Sequence, residues 1–296
     1  MVNKKCLGVV VSLALMVVSL SLASAALAVE PTGDFAIFKQ CPRFTGGVNF
    51  CLVSKIKSGE VAIGKTSVPI TNQITLQGGY DRNEEKEPVT ETFVGAINGE
   101  TLSKTAQTVP GGLLDLVNCK EISNFIERIA CELVFENGLT GVSAVTELAK
   151  PASEIGISTD NLLNAEGVAL TLPVKVKLEN PFLGSECYIG SSSAPVTLNL
   201  TTGETNPPEP NKPIKGKVGK LKFKDSFQFT EITENTVVDN AFSVPTANGC
   251  GGIFSFLIDP IIDSKLELPS AAGKNTAIQN GSLFQATGEA VIKSEK

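Results

Sequence analysis

The chain has 296 residues, enough to bury a sizeable core, and a formal charge of −6 from 25 basic and 31 acidic residues. That balance argues against general nucleic-acid binding. The sequence contains no histidine, which excludes Ser-His-Asp and Cys-His nucleophile systems and every metal site that needs imidazole.

Residues 1–28 read as a secretory signal. Lys4 and Lys5 precede an apolar run from Leu7 to Leu22, and small residues end in Ala26-Leu27-Ala28. Cleavage after Ala28 is expected, which leaves residues 29–296 as a secreted β-rich region; an uncleaved anchor is the alternative, since the run approaches a membrane span. Loss of Lys4 and Lys5 would leave 23 basic against 31 acidic residues, a charge of −8. No later apolar run is long enough to span a bilayer, so an integral membrane protein is not expected after cleavage. Loss of Cys6 leaves Cys41, Cys51, Cys119, Cys131, Cys187 and Cys250, an even set that reads as disulfides in an exported chain. Pairing in chain order is expected. Metal ligation is the weaker reading, because no C-x-x-C spacing occurs.

From Asp34 to Gln40 and from Cys51 to Gly64 the residues are β-compatible, with turns at Gly46-Gly47 and Ser58-Gly59. Val68-Pro69-Ile70 and Ile74-Thr75-Leu76 follow, Pro69 marking an edge or a strand start. Asp81 to Pro88 is a charged loop, and Thr92 to Ile97 a strand that Asn98-Gly99 should turn into a hairpin. The period then changes. Ile122, Phe125, Ile126, Ile129, Leu133 and Val134 recur at helical spacing, so one short helix is predicted near 121–136, capped at Ser123 or Asn124. A cap there would allow Cys119 to reach Cys131. Gly141 to Ala149 looks extended, and Pro151 to Asn164 is a loop with room for a helical turn.

The clearest periodicity spans 167–202. Val168, Leu170, Leu172, Val174, Val176 and Leu178 alternate with polar residues, and after a turn-rich stretch Val196, Leu198 and Leu200 resume the alternation. Asn206 to Pro213 carries four prolines and reads as a linker or long loop, which a Cys187–Cys250 bridge would cross. Lys217 to Thr230 reads as two strands with Leu221, Phe223, Phe227 and Phe229 inward. Ile253 to Ile258 and Leu283 to Ile292 read as further short strands. The predicted fold is mainly β: an antiparallel β-sandwich, one large or two-lobed, with strands at 34–109, the helical insertion within 110–137, and a C-terminal β lobe at 138–293.

Candidate chemistry is sparse. Ser54-Lys55-Ile56-Lys57 is formally S-x-x-K, but it lies in a predicted strand without the companion motifs, and an exposed strand edge explains it. Asp81, Glu84, Glu85 and Glu87 lack the order of a calcium loop and read as a solvated loop. Asp259 and Asp263 flank Pro260; paired acids are what a glycosidase would need. Lys220, Lys222 and Lys224 would share one strand face, able to touch an anionic envelope polymer or lipid, though a lysine-guarded edge is the commoner use. Asn248-Gly249-Cys250-Gly251-Gly252 offers amides for an anion nest or, more simply, a tight turn beside a disulfide. No catalytic or metal-binding residue and no cofactor is predicted.

PTGDFAIFKQCP, ITLQGG, TVPGGL, GLTGVSAVTELAKPASEIGIST, LPVKVKLENPFLGSECYIGSS, VDNAFSVP, GCGGIFSF and LPSAAGKNTA together resemble a group of exported actinobacterial proteins without an assigned activity, across nearly the whole region after residue 28. The resemblance implies a bacterial secreted or envelope-associated location and carries over no site residue. Three function readings result. The first is a non-enzymatic structural or interaction component of the envelope. The second is an extracellular carrier of a small apolar molecule or lipid, with the helix at 124–135 as a lid. The third and least supported is a carboxylate-based glycan hydrolase.

Overall fold

Alternating apolar and polar residues, rich in Val, Ile, Thr and Phe, favour extended backbone with one row of side chains directed to a core. The computed structural model describes residues 29–113, 123–126, 128–129, 141–226 and 228–295. There the alternation becomes fourteen strands: β1 Phe50–Ile63, β2 Thr66–Pro69, β3 Ile74–Asn83, β4 Thr90–Gly95, β5 Ala106–Thr108, β6 Ser143–Leu148, β7 Gly156–Ile157, β8 Leu170–Glu179, β9 Tyr188–Ile189, β10 Val196–Leu200, β11 Lys220–Lys224, β12 Phe229–Asp239, β13 Ala247–Asn248 and β14 Thr276–Thr287. The helices are α1 Thr159–Asn164, α2 Ser255–Leu266 and α3 Gly288–Lys293, with a 3-10 turn at Gly33–Phe38.

All strand pairings among these residues are antiparallel, in the order β11-β12-β14-β1-β3-β4-β7-β8-β6-β5, with β9 and β10 also on β8, β13 on β9 and β2 on β1. The path returns to its start. Thr201, just past β10, bridges Val238 of β12 through backbone hydrogen bonds of 3.0 and 2.9 Å. The side chain of Asp239 accepts from the Asn199 amide at 2.6 Å beside that seam. A ring β12-β14-β1-β3-β4-β7-β8-β10 results, whose narrowest stave is β7, held by Gly156 to Thr92 on one side and to Thr171 on the other. Side chains of β1, β3 and β14 meet those of β8 and β10 around a shared interior. The long alternating segment forms β8 and β10 as predicted, with Leu172 opposite Leu198 and Val174 opposite Val196.

Two β-bulges curl the ring. Register shifts occur between Ile56 and Ser58 in β1 and between Thr233 and Asn235 in β12, both opposite Gly281 of β14 or its immediate neighbour. A Cβ at Gly281 would lie 2.1 Å from the Lys55 carbonyl oxygen, so only glycine permits strands this close. A bulge adds one residue and therefore exchanges the two faces of the strand. In β1 the inward set changes from Leu52, Ser54 and Ile56 to Val61 and Ile63, and in β12 from Ile232 to Asn235 and Val237.

The outer face of β1, β12 and β14 near Cys51 is covered by the segment before β1 and by α3 after β14. Phe38, Cys41, Cys51, Val53, Phe229, Ala286 and Val291 form a second buried cluster, in which Phe35 and Phe38 each meet the Phe229 ring edge-on at 5.6 Å. Cys41–Cys51 staples it, with Cα atoms 5.5 Å apart. Pro31 bridges Glu295, the Thr32 hydroxyl donates to the Ser294 carbonyl at 2.6 Å, and Arg43 pairs with Glu295.

Several sequence expectations change. Ile253 to Ile258 is not a strand: a 3-10 turn at Gly252–Phe254 leads into α2, whose Ile258, Ile262 and Leu266 are buried at four-residue spacing. Leu283 to Ile292 is the end of β14 followed by α3. Phe229 is buried as expected, whereas Leu221 and Phe223 are 43% and 48% exposed because β11 ends the sheet with little packed on either face; Phe227 lies outside the described residues. β1 is a central strand between β14 and β3, so Ser54-Lys55-Ile56-Lys57 is not at an edge. Asn98-Gly99 does not build a hairpin onto β4; the chain turns there and Leu102 bridges Leu76 of β3 instead. In the predicted helical insertion, Asn124 is the cap: its Oδ1 accepts from the Ile126 amide at 3.0 Å and its carbonyl from the Arg128 amide at 2.8 Å. The rest of that helix and the Cys119–Cys131 pair lie outside the described residues. Cys187–Cys250 forms, with Cα atoms 4.0 Å apart. The proline-rich segment is tied down, since Asn211 donates through Nδ2 to the carbonyls of Asn240 and Asn275 at 2.9 and 2.8 Å.

A candidate apolar cavity

Aliphatic side chains from the ring do not fill its interior. Three compartments follow one another along β1, with cavity volumes of about 50, 60 and 80 Å³. The first and middle compartments share Ser54, Ile56, Leu76, Leu170 and Gln279, and the middle and third share Val61, Ile63, Ile70, Ile74, Thr146 and Val176. The first and third share none. The order is therefore linear, and the lining runs from Leu52 to Ile63 of β1, roughly 36 Å of strand at about 3.3 Å per residue.

The wall contains no Asp, Glu, Lys or Arg in any compartment. Uncharged polar side chains line all three: Ser54 and Gln279 border the first and middle compartments, and Thr146 the middle and third. At the third compartment, Gln107 is committed to backbone: its Oε1 accepts from the Thr71 and Asn72 amides at 2.9 and 3.0 Å, and its Nε2 donates to the Asn72 carbonyl at 2.8 Å. Leu266 of α2 closes that end. At the first compartment lie Ser54, Ser158, Thr159, Asn235 and Gln279.

The stopper of the first compartment is α1. Ser158 caps it by accepting from the Asn161 amide, Ala165 ends it in the left-handed region, and Leu162 projects into the compartment while the Thr202 hydroxyl donates to the Leu162 carbonyl at 2.7 Å. A charged clamp outside the cavity holds α1 to the ring. Arg82 of β3 donates to Glu91 at 2.5 Å, to the Thr159 hydroxyl at 2.9 Å and, through both bonds of one nitrogen, to Asp160 at 2.9 and 3.1 Å. Glu91, with its side chain 3% exposed, also accepts from the Thr159 amide at 2.7 Å. Burial opposes the Arg82 charge, but the bonds to Asp160, Glu91 and Glu84 outweigh it and raise its pKa. Tyr80, fully buried beside this clamp, has its phenol pKa raised by burial and then by the charge of Glu91.

The residues singled out in the sequence fall elsewhere. Lys220, Lys222 and Lys224 line the outermost strand, where Lys220 pairs with Glu234 at 2.5 Å and Lys224 with Asp34 at 3.1 Å and Glu231 at 3.5 Å; the bond to Asp34 raises the Lys224 pKa. Glu84 belongs to the Arg82 clamp at 3.1 Å, and no cluster of acids, cysteines or histidines fit for a metal occurs among the described residues. The glycine-rich nest at 248–252 is filled from within: Asp259 accepts from the Gly249 and Cys250 amides at 3.1 and 2.8 Å. Asp263 holds the Ala247 amide at 2.7 Å. Of the expected lid at 124–135, Phe125, Ile126 and Ile129 are 64%, 74% and 40% exposed, and residues 127 and 130–135 lie outside the described residues. Of the earlier candidates only Ser54 reaches the interior. Asn235 and Gln279 carried no sequence signal, because the bulge beside Asn235 breaks the alternation that would have placed it.

The fold and cavity define a disulfide-bonded, all-antiparallel closed β-ring with an uncharged apolar interior. The chain matches no protein-family model, and comparisons with curated proteins and with solved structures return no match. No helix among the described residues is long and apolar enough to cross a membrane.

Proposed function

We propose that the protein is a non-enzymatic, secreted or envelope-associated carrier of a small apolar molecule or lipid. The carrying observation is the row of three small adjoining compartments, lined mainly by aliphatic side chains and by no charged one. It places this reading ahead of the structural envelope role that the sequence alone favours. An interior of this kind offers burial of apolar surface, at about 25 cal/mol per Å², and offers no charged or paired acid–base groups for bond making. The two disulfides and the signal-like leader support export. Leu76→Trp tests the reading, since Leu76 lines both the first and the middle compartments. Native mass spectrometry after mild purification is expected to show a copurified apolar ligand on the wild type and none on the variant. A wild-type protein that neither carries nor takes up any apolar molecule would overturn the reading.

One observation keeps the structural role as a second reading. Ile253 and Phe254, in the 3-10 turn that leads into α2, and Phe256 in its first turn stand 85%, 52% and 70% exposed, a surface of the kind that contacts a partner. Recovery of the protein on isolated cell wall, lost when all three are changed to Ser, is what this reading expects.

A further inference from the structure

We propose that the cavity takes a neutral single-chain amphiphile with its hydroxyl head at the α1 end, donating to Asn235, and that it rejects carboxylate and phosphate heads. The proposal rests on the carrier reading and adds ligand class and orientation. Its first support is an unused acceptor. Asn235 is 6% exposed, borders the first compartment, and its Oδ1 has no hydrogen-bond partner among the described residues. A buried carbonyl oxygen without a donor is unfavourable, and an incoming hydroxyl relieves it.

Of the other polar groups of that compartment, Ser54 and Gln279 border the middle compartment as well, and Ser158 and Thr159 are already engaged. Ser158 Oγ accepts from the Asn161 amide, and the Thr159 hydroxyl donates to Glu91 while accepting from Arg82. At the opposite end Gln107 is occupied by four backbone bonds. The two ends therefore differ: one presents an open acceptor and the other a spent amide behind Ile70, Val109 and Leu266. A head at Asn235 and a tail toward Leu266 follow. Bound anions are disfavoured because no cation lines any compartment, so a carboxylate would be desolvated without compensation.

The test is displacement of the neutral dye phenylnaphthylamine from the purified protein at neutral pH by dodecanol, dodecyl methyl ether and dodecanoate. Dodecanol is expected to bind about five- to tenfold more tightly than the ether, which lacks the donor. Dodecanoate is expected to bind on the order of a hundredfold more weakly than dodecanol. Asn235→Leu should abolish the advantage of dodecanol over the ether while leaving the ether's affinity in place. Equal binding of dodecanoate and dodecanol, or an undiminished alcohol preference in the variant, overturns the inference while the carrier reading stands. Failure of all three ligands overturns both. Should the variant not fold, the three-way comparison on the wild type still decides.

Discussion

Tyr80 shows how much a single side chain reveals about the interior. Its ring is fully buried and stacks on Phe50 with centroids 5.2 Å apart, yet its hydroxyl has no partner among the described residues. Burial, then the charge of Glu91, raises the pKa of the folded phenol above its ordinary value. The unfolded phenol titrates near pH 10, so this group's contribution to stability is intact below about pH 10 and is lost as the pH rises beyond it. Tyr80→Phe removes both the stranded hydroxyl and this titration. Chemical denaturation is expected to give a variant as stable as the wild type at neutral pH, or up to ~1 kcal/mol more stable, with a shallower loss at alkaline pH. A neutral-pH loss of more than ~1 kcal/mol would mean that the hydroxyl is satisfied after all. Nothing in the sequence around Tyr80 distinguishes it from a tyrosine at a sheet surface; its burial is made by β4 and α1, which come from elsewhere in the chain.

Elements were legible where one local rule governs them. β8 and β10 follow from alternation, and the cap at Asn124 from its side-chain chemistry. α2 was misread because Ile253 to Ile258 is apolar at nearly every position, which fits a strand as well as a helix; the spacing of Ile258, Ile262 and Leu266 carries the helical signal, masked by Pro260. The bulges were not legible. Both break the alternation of an otherwise regular strand, and their positions depend on Gly281, which belongs to neither β1 nor β12. That dependence is testable. Gly281→Ala drives a methyl group to 2.1 Å from the Lys55 carbonyl oxygen, and a loss of roughly 2–3 kcal/mol is expected in denaturant unfolding. Gly46→Ala, where nothing lies within 4 Å, is the control and should stay within about 0.5 kcal/mol of wild type. Equal effects of the two substitutions would show that the strands at Gly281 can part without cost.

For the whole molecule, the pairing Cys41–Cys51 and Cys187–Cys250 was available from chain order, while ring closure through Thr201 and Val238 was not, because two residues far apart in sequence meet only after both halves have curled. The two disulfides constrain the chain unequally. They close separations of 10 and 63 residues, for which the chain-entropy relation gives about 2.7 and about 4.3 kcal/mol. Replacing Cys187 and Cys250 by Ser is therefore expected to lower the unfolding midpoint more than replacing Cys41 and Cys51. The reverse ranking would show that the cluster around Cys51, and not loop length, sets the contribution of each bridge. The same cluster has a further consequence: the Pro31–Glu295 bridge and the Arg43–Glu295 pair tie the segment before β1 to the segment after β14, so loosening either one uncovers the same buried face of Cys51, Val53 and Phe229.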